Sequence, residues 1–212
     1  MIKKFFAIIL IGCLGFSGLS ARELGYYGVS IGGTATVPLA GLADLYKIAP
    51  SLKFGAGIFL ENGWYLEGQV DLCRFDRSNL TGYAKENVSM SLEYGGIMVT
   101  GQTSLLEFRN INLQFIAGMG PFYWKGIRGE IAQNDSLGIP YIPKKVLEEW
   151  NMAFQGGVGL EYFITPDLAF ELSSVYRLLI GSLWPTMHEH ILIEQVNGFQ
   201  MAHVNLKMRY YF

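Results

Sequence analysis

The last eleven residues of the chain, AHVNLKMRYYF at 202–212, alternate apolar and polar side chains. The apolar set is Ala202, Val204, Leu206, Met208, Tyr210 and Phe212, and the intervening set is His203, Asn205, Lys207, Arg209 and Tyr211. Successive side chains of a β-strand point to opposite faces. The segment is therefore predicted to be a strand with one apolar and one polar face.

Seven further segments show the same alternation, namely 27–37, 52–60, 64–72, 88–108, 113–120, 154–162 and 168–177. Turn signals such as Asn62-Gly63 and Thr165-Pro166-Asp167 separate some of them. The predicted connections alternate long and short along the chain: 40–51, 61–63, 77–87, 109–111, 123–150, 164–167 and 181–198. This rhythm predicts an up-and-down antiparallel sheet of eight strands, with both chain ends on the same side.

The segment 88–108 is the least regular of the eight. Its apolar residues are even-numbered up to Tyr94 and odd-numbered from Ile97 onward. A change of parity beside Gly95-Gly96 is what a β-bulge would produce. The segment is also longer than the 9–11 residues that span a bilayer. We therefore expect a bulge at Gly95-Gly96 and expect the first part of the strand to stand above the membrane.

The composition excludes two broad classes of protein. Of the 212 residues 50% are hydrophobic, 16% are charged and 26 are glycine, and the net charge is −2. Such a chain has enough apolar surface to fold, which excludes intrinsic disorder. It lacks the basic cluster of a nucleic-acid-binding protein. Its length is that of one domain.

The first residues have the pattern of a targeting segment. Lys3 and Lys4 precede an apolar run at 5–16, and small residues follow at 17–21. This pattern predicts a secretory signal peptide over 1–20, cleaved after Ser20 or, as an alternative, after Ala21. A lipoprotein signal around Cys13 is the competing interpretation. The predicted barrel domain is then 21–212, in which Cys73 is the only cysteine, so neither an internal disulfide nor a cysteine metal site is predicted.

A membrane barrel explains the alternation better than a soluble lipocalin-like barrel. The segment after the signal has no apolar run long enough for a helical membrane span. The polar faces are rich in small residues that would fit a narrow lumen, and the middles of the apolar faces carry no charge. Aromatic residues lie where the apolar faces approach the short turns, as in an interfacial girdle: Tyr27, Trp64, Tyr162, Tyr210 and Phe212.

Three motifs resemble those of the small OmpA/OmpX/OmpW-like outer-membrane barrels. The C-terminal pattern of Val204, Leu206, Met208, Tyr210 and Phe212 resembles their assembly signal. The run 157–171 resembles their penultimate hairpin, and 115–120 resembles their fifth strand.

This resemblance implies an all-β fold: an eight-stranded antiparallel up-and-down transmembrane β-barrel with short periplasmic turns and long external loops. The implied location is a Gram-negative-type outer membrane. The implied partners are outer-membrane lipids and lipopolysaccharide, the barrel assembly machinery and periplasmic chaperones. No cofactor is implied.

Charged residues on the polar faces are the main candidates for function. Distances along the strands from the short turns place several of them at similar heights in the lumen. We expect Glu171 to reach Lys207 or Arg209, with Glu67 facing them across the lumen. The hypothesis is an ion-pair network that blocks free flow, formed by Glu67, Asp71, Glu171, Arg177, Lys207 and Arg209. Either these charges only satisfy one another or they form a gate.

Other chemistry has weaker support. His188 and His190 could form a metal pair, but two ligands without a third are poor evidence. Ser173 or Ser182 with His188 and Glu189 could form a hydrolytic set, yet no local enzyme signature surrounds them. Neither an enzyme nor a metal site is therefore predicted.

The external loops are more apolar than solvated loops need to be, at 138–143, 184–185 and 191–193. These segments either pack within the loops or form a contact surface for a partner. The sequence thus favours a structural or surface-interaction role with a mostly plugged lumen. The alternative is an OmpW-like narrow passage for small hydrophobic molecules. A wide porin is disfavoured, because aqueous channels need about 16–18 strands.

Overall fold

The computed structural model describes residues 27–60, 63–76, 78–80, 87–183 and 196–212. The predicted signal peptide at 1–20 and the alternative site at Cys13 lie outside the described residues. So do the loop segments 184–185 and 191–193.

Eight strands form a closed antiparallel barrel in the described part of the chain. They are β1 (Tyr27–Pro38), β2 (Ala49–Phe59), β3 (Trp64–Phe75), β4 (Met90–Phe108), β5 (Ile111–Arg128), β6 (Lys145–Phe163), β7 (Leu168–Leu183) and β8 (Val196–Tyr211). Each strand pairs with its sequence neighbour, and β1 pairs with β8 to close the cylinder. The predicted fold class is confirmed.

The connections differ strongly in length between the two ends of the barrel. The turns 109–110 and 164–167 lie at the end of the barrel where Tyr27 and Phe212 meet, as do the facing ends of β2 and β3. The described connections 39–48 and 129–144 lie at the opposite end. Gly63 has a φ of 81°, a conformation that glycine adopts without steric cost. The third long connection is shorter than the predicted 123–150, because β5 continues to Arg128 and β6 begins at Lys145.

The outer surface is apolar and the inner surface is mixed. Along β1, for example, Val29 and Ile31 are exposed, while Ser30 and Thr34 are buried in the lumen. The alternation in β8 follows the same rule, with Leu206 and Met208 outside and Lys207 and Arg209 inside. A closed barrel with an apolar exterior satisfies its backbone hydrogen bonds internally, as a bilayer requires.

The structure corrects the prediction for β4. Even-numbered residues face the lumen along the strand from Met90 to Gln102, so Leu92 and Tyr94 are buried inside the barrel, on the face opposite to Ile97 and Val99. The register with β3 and β5 is unchanged across Gly95-Gly96, and the irregularity lies between Ser104 and Leu106. The predicted bulge at Gly95-Gly96 is therefore wrong. The parity changed in the sequence because the lumen itself changes from apolar to polar at this height.

An apolar core fills the half of the lumen near the long loops, here called the upper lumen. Its members include Leu92, Met98, Phe122, Trp124 and Phe199, all at most 2% exposed. Trp124 and Phe199 pack edge to face with ring centroids 5.1 Å apart. Gly96 leaves room for the Phe122 ring, since a Cβ at Gly96 would collide with it.

Two of the long connections close this end of the barrel. A short helix, α1 (Gly41–Leu45), buries Leu42 and Leu45 in the upper core. The connection 129–144 folds back on itself through bridges between Ile131 and Ile142 and between Asn134 and Ile139. Ile131 and Ile139 are buried in the same core. Packing therefore accounts for part of the apolar segment 138–143, whereas Tyr141 stays 54% exposed.

Among the described residues, no helix is long and apolar enough to cross a membrane.

Candidate functional site

Alternation along the strands directs eight charged side chains into the half of the lumen near the short turns, here called the lower lumen. Their outward neighbours are apolar and face lipid, so each charged residue must point inward. Register then sets their neighbours: Glu171 pairs with Lys207, and Lys53 pairs with Asp71. The eight are Lys53, Glu67, Asp71, Glu161, Glu171, Arg177, Lys207 and Arg209, and none is more than 3% exposed.

Arg209 is the centre of the first layer of charges. Its Nη2 lies 2.7 Å from Glu171 Oε2 and 3.2 Å from Glu67 Oε2. Its Nη1 lies 2.9 Å from Glu161 Oε1. Lys207 Nζ adds contacts of 3.0 Å to Glu171 and 3.3 Å to Glu67. Three carboxylates from three strands thus converge on two cations of β8.

Neutral side chains complete the hydrogen bonding of this layer. Gln69 Nε2 and Gln102 Nε2 donate to Glu67 Oε2 at 2.6 and 2.9 Å, and the Ser30 hydroxyl donates to Glu67 Oε1. Tyr211 Oη donates to Glu161 at 2.6 Å, as does Gln114 Nε2. Donors of this kind offset the cost of removing carboxylates from water.

Aromatic rings close the lumen below the first layer. Tyr65, Tyr211, Phe59 and Phe163 pack together there. The Arg209 guanidinium lies 4.6 Å from the Tyr65 ring centroid, within range of a cation–π interaction. The lower end of the lumen is therefore filled by rings.

A second layer lies between the first layer and the apolar core. Arg177 Nη1 contacts Asp71 Oδ2 at 2.5 Å, and Lys53 Nζ lies 3.7 Å from the same oxygen. Arg177 Nη2 also donates to Gln155 Oε1 at 2.8 Å, and Lys53 Nζ donates to Asn205 Oδ1 at 2.6 Å. The Arg177 guanidinium lies 4.9 Å from the Phe122 ring centroid, which joins this layer to the apolar core.

The two layers together are electrically balanced. The carboxylates of Glu67, Asp71, Glu161 and Glu171 face the cations of Lys53, Arg177, Lys207 and Arg209, so four formal negative charges meet four positive ones. A small cavity of about 10 Å³ lies between the layers, bordered by Lys53, Glu171 and Lys207 among others. This volume holds about one water molecule.

The structure brings together the six charged residues singled out from the sequence, in two layers rather than one network. It adds two that were not singled out, Lys53 and Glu161. Both lie on the polar face of an alternating strand, and that parity was the available signal. Glu161 lies directly opposite Glu171 in the register of β6 with β7, at the same distance from the turn between them.

The structure also locates other residues that were singled out from the sequence. Tyr27, Trp64 and Tyr162 lie on the outer surface near the short turns. The outer surface of β8 and the residue after it carry Val204, Leu206, Met208, Tyr210 and Phe212. Ser173 is buried, and its hydroxyl accepts a hydrogen bond from Asn205 Nδ2 at 3.0 Å. His188, Glu189 and His190 lie outside the described residues, and nothing is described of the Ser182 side chain. Where the structure is described, no group of three or more His, Cys, Asp or Glu could hold a metal ion.

A ladder of alternating charges crosses the outer surface near the long loops. Register places Arg74 beside Glu93, Glu93 beside Lys125 and Lys125 beside Glu148. Arg74 and Glu93 lie 3.0 Å apart, and Lys125 and Glu148 lie 3.6 Å apart. Since outward charges are costly in the bilayer midplane, this charged ladder marks the upper limit of the lipid-facing belt.

The loop 129–144 carries an exposed tyrosine. Tyr141 Oη donates to Glu130 Oε2 at 3.2 Å. This hydrogen bond to a carboxylate raises the pKa of the Tyr141 phenol, because a phenolate there would lose the bond and be repelled.

The barrel is similar to solved structures of outer-membrane proteins. Ail, the attachment invasion locus protein of Yersinia pestis, is 13% identical, with 90% of this chain and 100% of that chain covered and a TM-score of 0.52. Neisserial surface protein A (NspA) is 11% identical, with 88% and 97% covered and a TM-score of 0.55. A major outer membrane protein from Thermus thermophilus is 11% identical, with 88% and 99% covered and a TM-score of 0.54.

No protein-family model and no curated protein matches the sequence. At identities this low the structural likeness establishes the fold. The chain has the fold of a small outer-membrane β-barrel, and the predicted resemblance to such barrels is confirmed. The closed barrel and its apolar exterior place the protein in a Gram-negative-type outer membrane.

Proposed function

We propose that this protein is a non-conducting outer-membrane barrel with a structural and surface-interaction role. The observation that carries the proposal is the filling of the lumen. Aromatic rings, two balanced charge layers and an apolar core follow one another from the short turns to the loops. Moving an ion through this sequence would require separating paired charges away from water, which is costly.

A second candidate is a narrow passage for small hydrophobic molecules. The apolar character of the upper lumen favours it, because such a molecule would meet no polar barrier there. Phe122, Trp124 and Phe199 fill that space, and Ile131 and Ile139 cover it. A passage would therefore need the loop 129–144 to lift and the rings to move aside.

A non-enzymatic role is part of the proposal. The Ser173 hydroxyl is engaged by Asn205 within the charged part of the lumen and is only 3% exposed. His203 is also buried, with Nδ1 3.4 Å from the Thr36 hydroxyl. Neither group lies where a bulky substrate could reach it.

The proposed partners follow from the outer-membrane location. They are outer-membrane lipids and lipopolysaccharide at the belt, with the barrel assembly machinery and periplasmic chaperones during biogenesis. One structural neighbour, Ail, has been crystallised in complex with the heparin analogue sucrose octasulfate. We propose that the loop end of this chain likewise meets external molecules.

Single-channel recording in planar bilayers tests the closed lumen. The unaltered protein is expected to give no steady conductance. Glu171→Ala removes a carboxylate shared by Lys207 and Arg209 and is expected to produce intermittent openings. Glu149→Ala, which removes an exposed carboxylate of β6, is the matched control and should stay silent. A steady open conductance of the unaltered protein would contradict the proposal.

Uptake of a hydrophobic fluorescent probe into liposomes separates the two candidates. Liposomes with and without the protein are expected to take up the probe at the same rate. Faster uptake that requires the protein would favour the passage.

A further inference from the structure

The cavity of about 10 Å³ between the two charge layers is an enclosed space. The aromatic rings of the lower end lie below it, and the apolar core lies above it. Seven of the nine residues that border it are polar, and the two others are Ile116 and Val175. Each of the nine is at most 8% exposed. A buried cavity with a polar border is suited to a polar occupant, whereas an apolar one stays dry.

One carboxylate oxygen at the border of this cavity needs a further hydrogen-bond donor. Glu171 Oε2 accepts a hydrogen bond from Arg209 Nη2 at 2.7 Å, and Lys207 Nζ lies 3.0 Å from the same oxygen. Glu171 Oε1 is buried, and no hydrogen bond of proper length and angle reaches it from the described residues. A buried carboxylate oxygen without a donor is costly, because it has lost its hydrogen bonds to bulk water. A donor inside the cavity would remove this cost.

The two lysines at the border have N–H groups for a further acceptor. An ammonium group carries three N–H donors. Lys53 Nζ donates to Asn205 Oδ1 at 2.6 Å and lies 3.7 Å from Asp71 Oδ2. Lys207 Nζ likewise contacts two carboxylates of the first layer. One N–H group of each ammonium therefore remains beyond these two contacts.

We propose that this cavity binds one resident water molecule that bridges the two charge layers. The water donates a hydrogen bond to Glu171 Oε1 and accepts hydrogen bonds from the ammonium groups of Lys53 and Lys207. A buried water makes about three hydrogen bonds of this kind, and the volume of the cavity matches one molecule. The site goes beyond the proposed function, because a lumen that conducts and a lumen that does not could both contain it.

The charges around the cavity favour a neutral occupant over an ion. A cation would lie beside the ammonium groups of Lys53 and Lys207, and an anion would lie beside the carboxylate of Glu171. The four negative and four positive formal charges of the two layers already balance. An added ion would leave one charge uncompensated in a space removed from bulk water. Water both donates and accepts hydrogen bonds, so it satisfies the carboxylate and the ammonium groups together.

The bridging water would join two layers that are otherwise separate in their ion pairs. Among the described residues, no ion pair connects a member of the first layer to a member of the second. Glu171 and Lys207 belong to the first layer and Lys53 to the second, and all three border the cavity. A water held by these three groups gives the two layers a shared hydrogen-bonded contact.

Methyl groups at the border of the cavity test for the water directly. The experiment uses the full chain in nanodiscs, with isotope-labelled methyl groups in an otherwise deuterated protein. Nuclear Overhauser effects from water to the methyl groups of Ile116 and Val175 are expected, with the sign of a slowly exchanging water. Leu92 in the apolar core and Val204 on the lipid-facing surface are the controls and should show none. Absence of the effect at both Ile116 and Val175 overturns the proposal.

Relaxation dispersion of the water oxygen nucleus gives a second measurement, to which exchangeable protein hydrogens do not contribute. Val175→Ile adds one carbon at the border of a space that holds a single water, so it is expected to displace that water. The dispersion amplitude should fall by the contribution of about one molecule. Val158→Ile makes the same change on the outer surface, where Val158 is 49% exposed, and should leave the amplitude unchanged.

An equal amplitude in the unaltered protein and in Val175→Ile also overturns the proposal. If Val175→Ile does not fold, the methyl measurement on the unaltered protein still decides.

Discussion

The lower and upper halves of the lumen are equally buried but built from opposite chemistry. Arg209 and its three carboxylates fill the lower half, and Leu92, Phe122 and Trp124 fill the upper half. The lipid-facing exterior is apolar beside both halves. An apolar outer face therefore does not determine whether the inner face of the same strand is polar or apolar. The inner side chains must only fill the lumen and pair their polar groups.

The two halves should contribute differently to stability. Apolar burial in the upper lumen is stabilising in proportion to the area removed from water. The charge layers are close to balanced between desolvation and attraction, yet removing one member leaves its partners uncompensated. Variants in each half therefore test whether this difference is real.

The largest effect is expected for Arg209→Met. The change leaves Glu67, Glu161 and Glu171 with Lys207 as the remaining cation of the first layer, and we expect the free energy of unfolding to fall by about 3–5 kcal/mol. Urea titration in lipid vesicles, followed by tryptophan fluorescence, measures it. The double variant Arg209→Met, Glu161→Gln removes one orphaned charge and should lose less than the sum of the single changes. A neutral Arg209→Met would contradict the layered network.

Leu92→Ala tests the upper lumen. Leu92 is 0% exposed, and truncation of a buried leucine costs about 2–5 kcal/mol because a cavity remains. We expect about 3 kcal/mol in the same urea titration. Leu172→Ala is the matched control, since Leu172 is 54% exposed and faces lipid. Equal losses for the two leucines would mean that the upper lumen does not behave as a packed core.

A smaller global effect is expected for Ile139→Ala. Ile139 anchors the loop 129–144 in the upper core, so its truncation should loosen the loop locally while β5 and β6 stay paired. Proteolysis within 129–144 should accelerate about tenfold, with the unfolding midpoint of the barrel little changed. Tyr141→Ala, in the same loop but exposed, should leave the cleavage rate as it is.

The smallest effect is expected in the charged ladder outside the barrel. Glu93→Ala removes an exposed partner of Arg74 and should change the free energy of unfolding by about 0.5 kcal/mol, less at high salt. A double-mutant cycle with Arg74→Ala measures the pair directly. A coupling as large as the loss in Arg209→Met would erase the distinction between buried and exposed charges.

The fold could be predicted because each strand repeats one simple rule. The alternation in β8 and the spacing of the turns were enough to define strand number, order and closure. The parity of Lys207 and Arg209 placed them in the lumen, and the facing parity of Glu171 placed their partner on the next strand.

Other features could not be read from the sequence in the same way. The predicted bulge put Leu92 and Tyr94 on the same face as Ile97 and Val99, because an apolar residue on a strand suits a packed interior as well as hydrocarbon. Only the register with β3 shows which side they occupy. The division of the charges into two layers depends on how far the tilted strands are staggered, and distance from a turn does not reveal this.

The seam between β1 and β8 has a kinetic consequence. Tyr27 N donates to Phe212 O at 3.0 Å, and the Thr34 hydroxyl donates to Asn205 at 2.7 Å across 171 positions of sequence. Contacts between such distant parts of a chain form slowly, because the intervening polypeptide must first be gathered together. Until they form, an open sheet would present bare amides and carbonyls to hydrocarbon. Insertion into the bilayer and pairing of β1 with β8 must therefore proceed as one coupled event. Phe212 is then among the last residues to form its native hydrogen bonds.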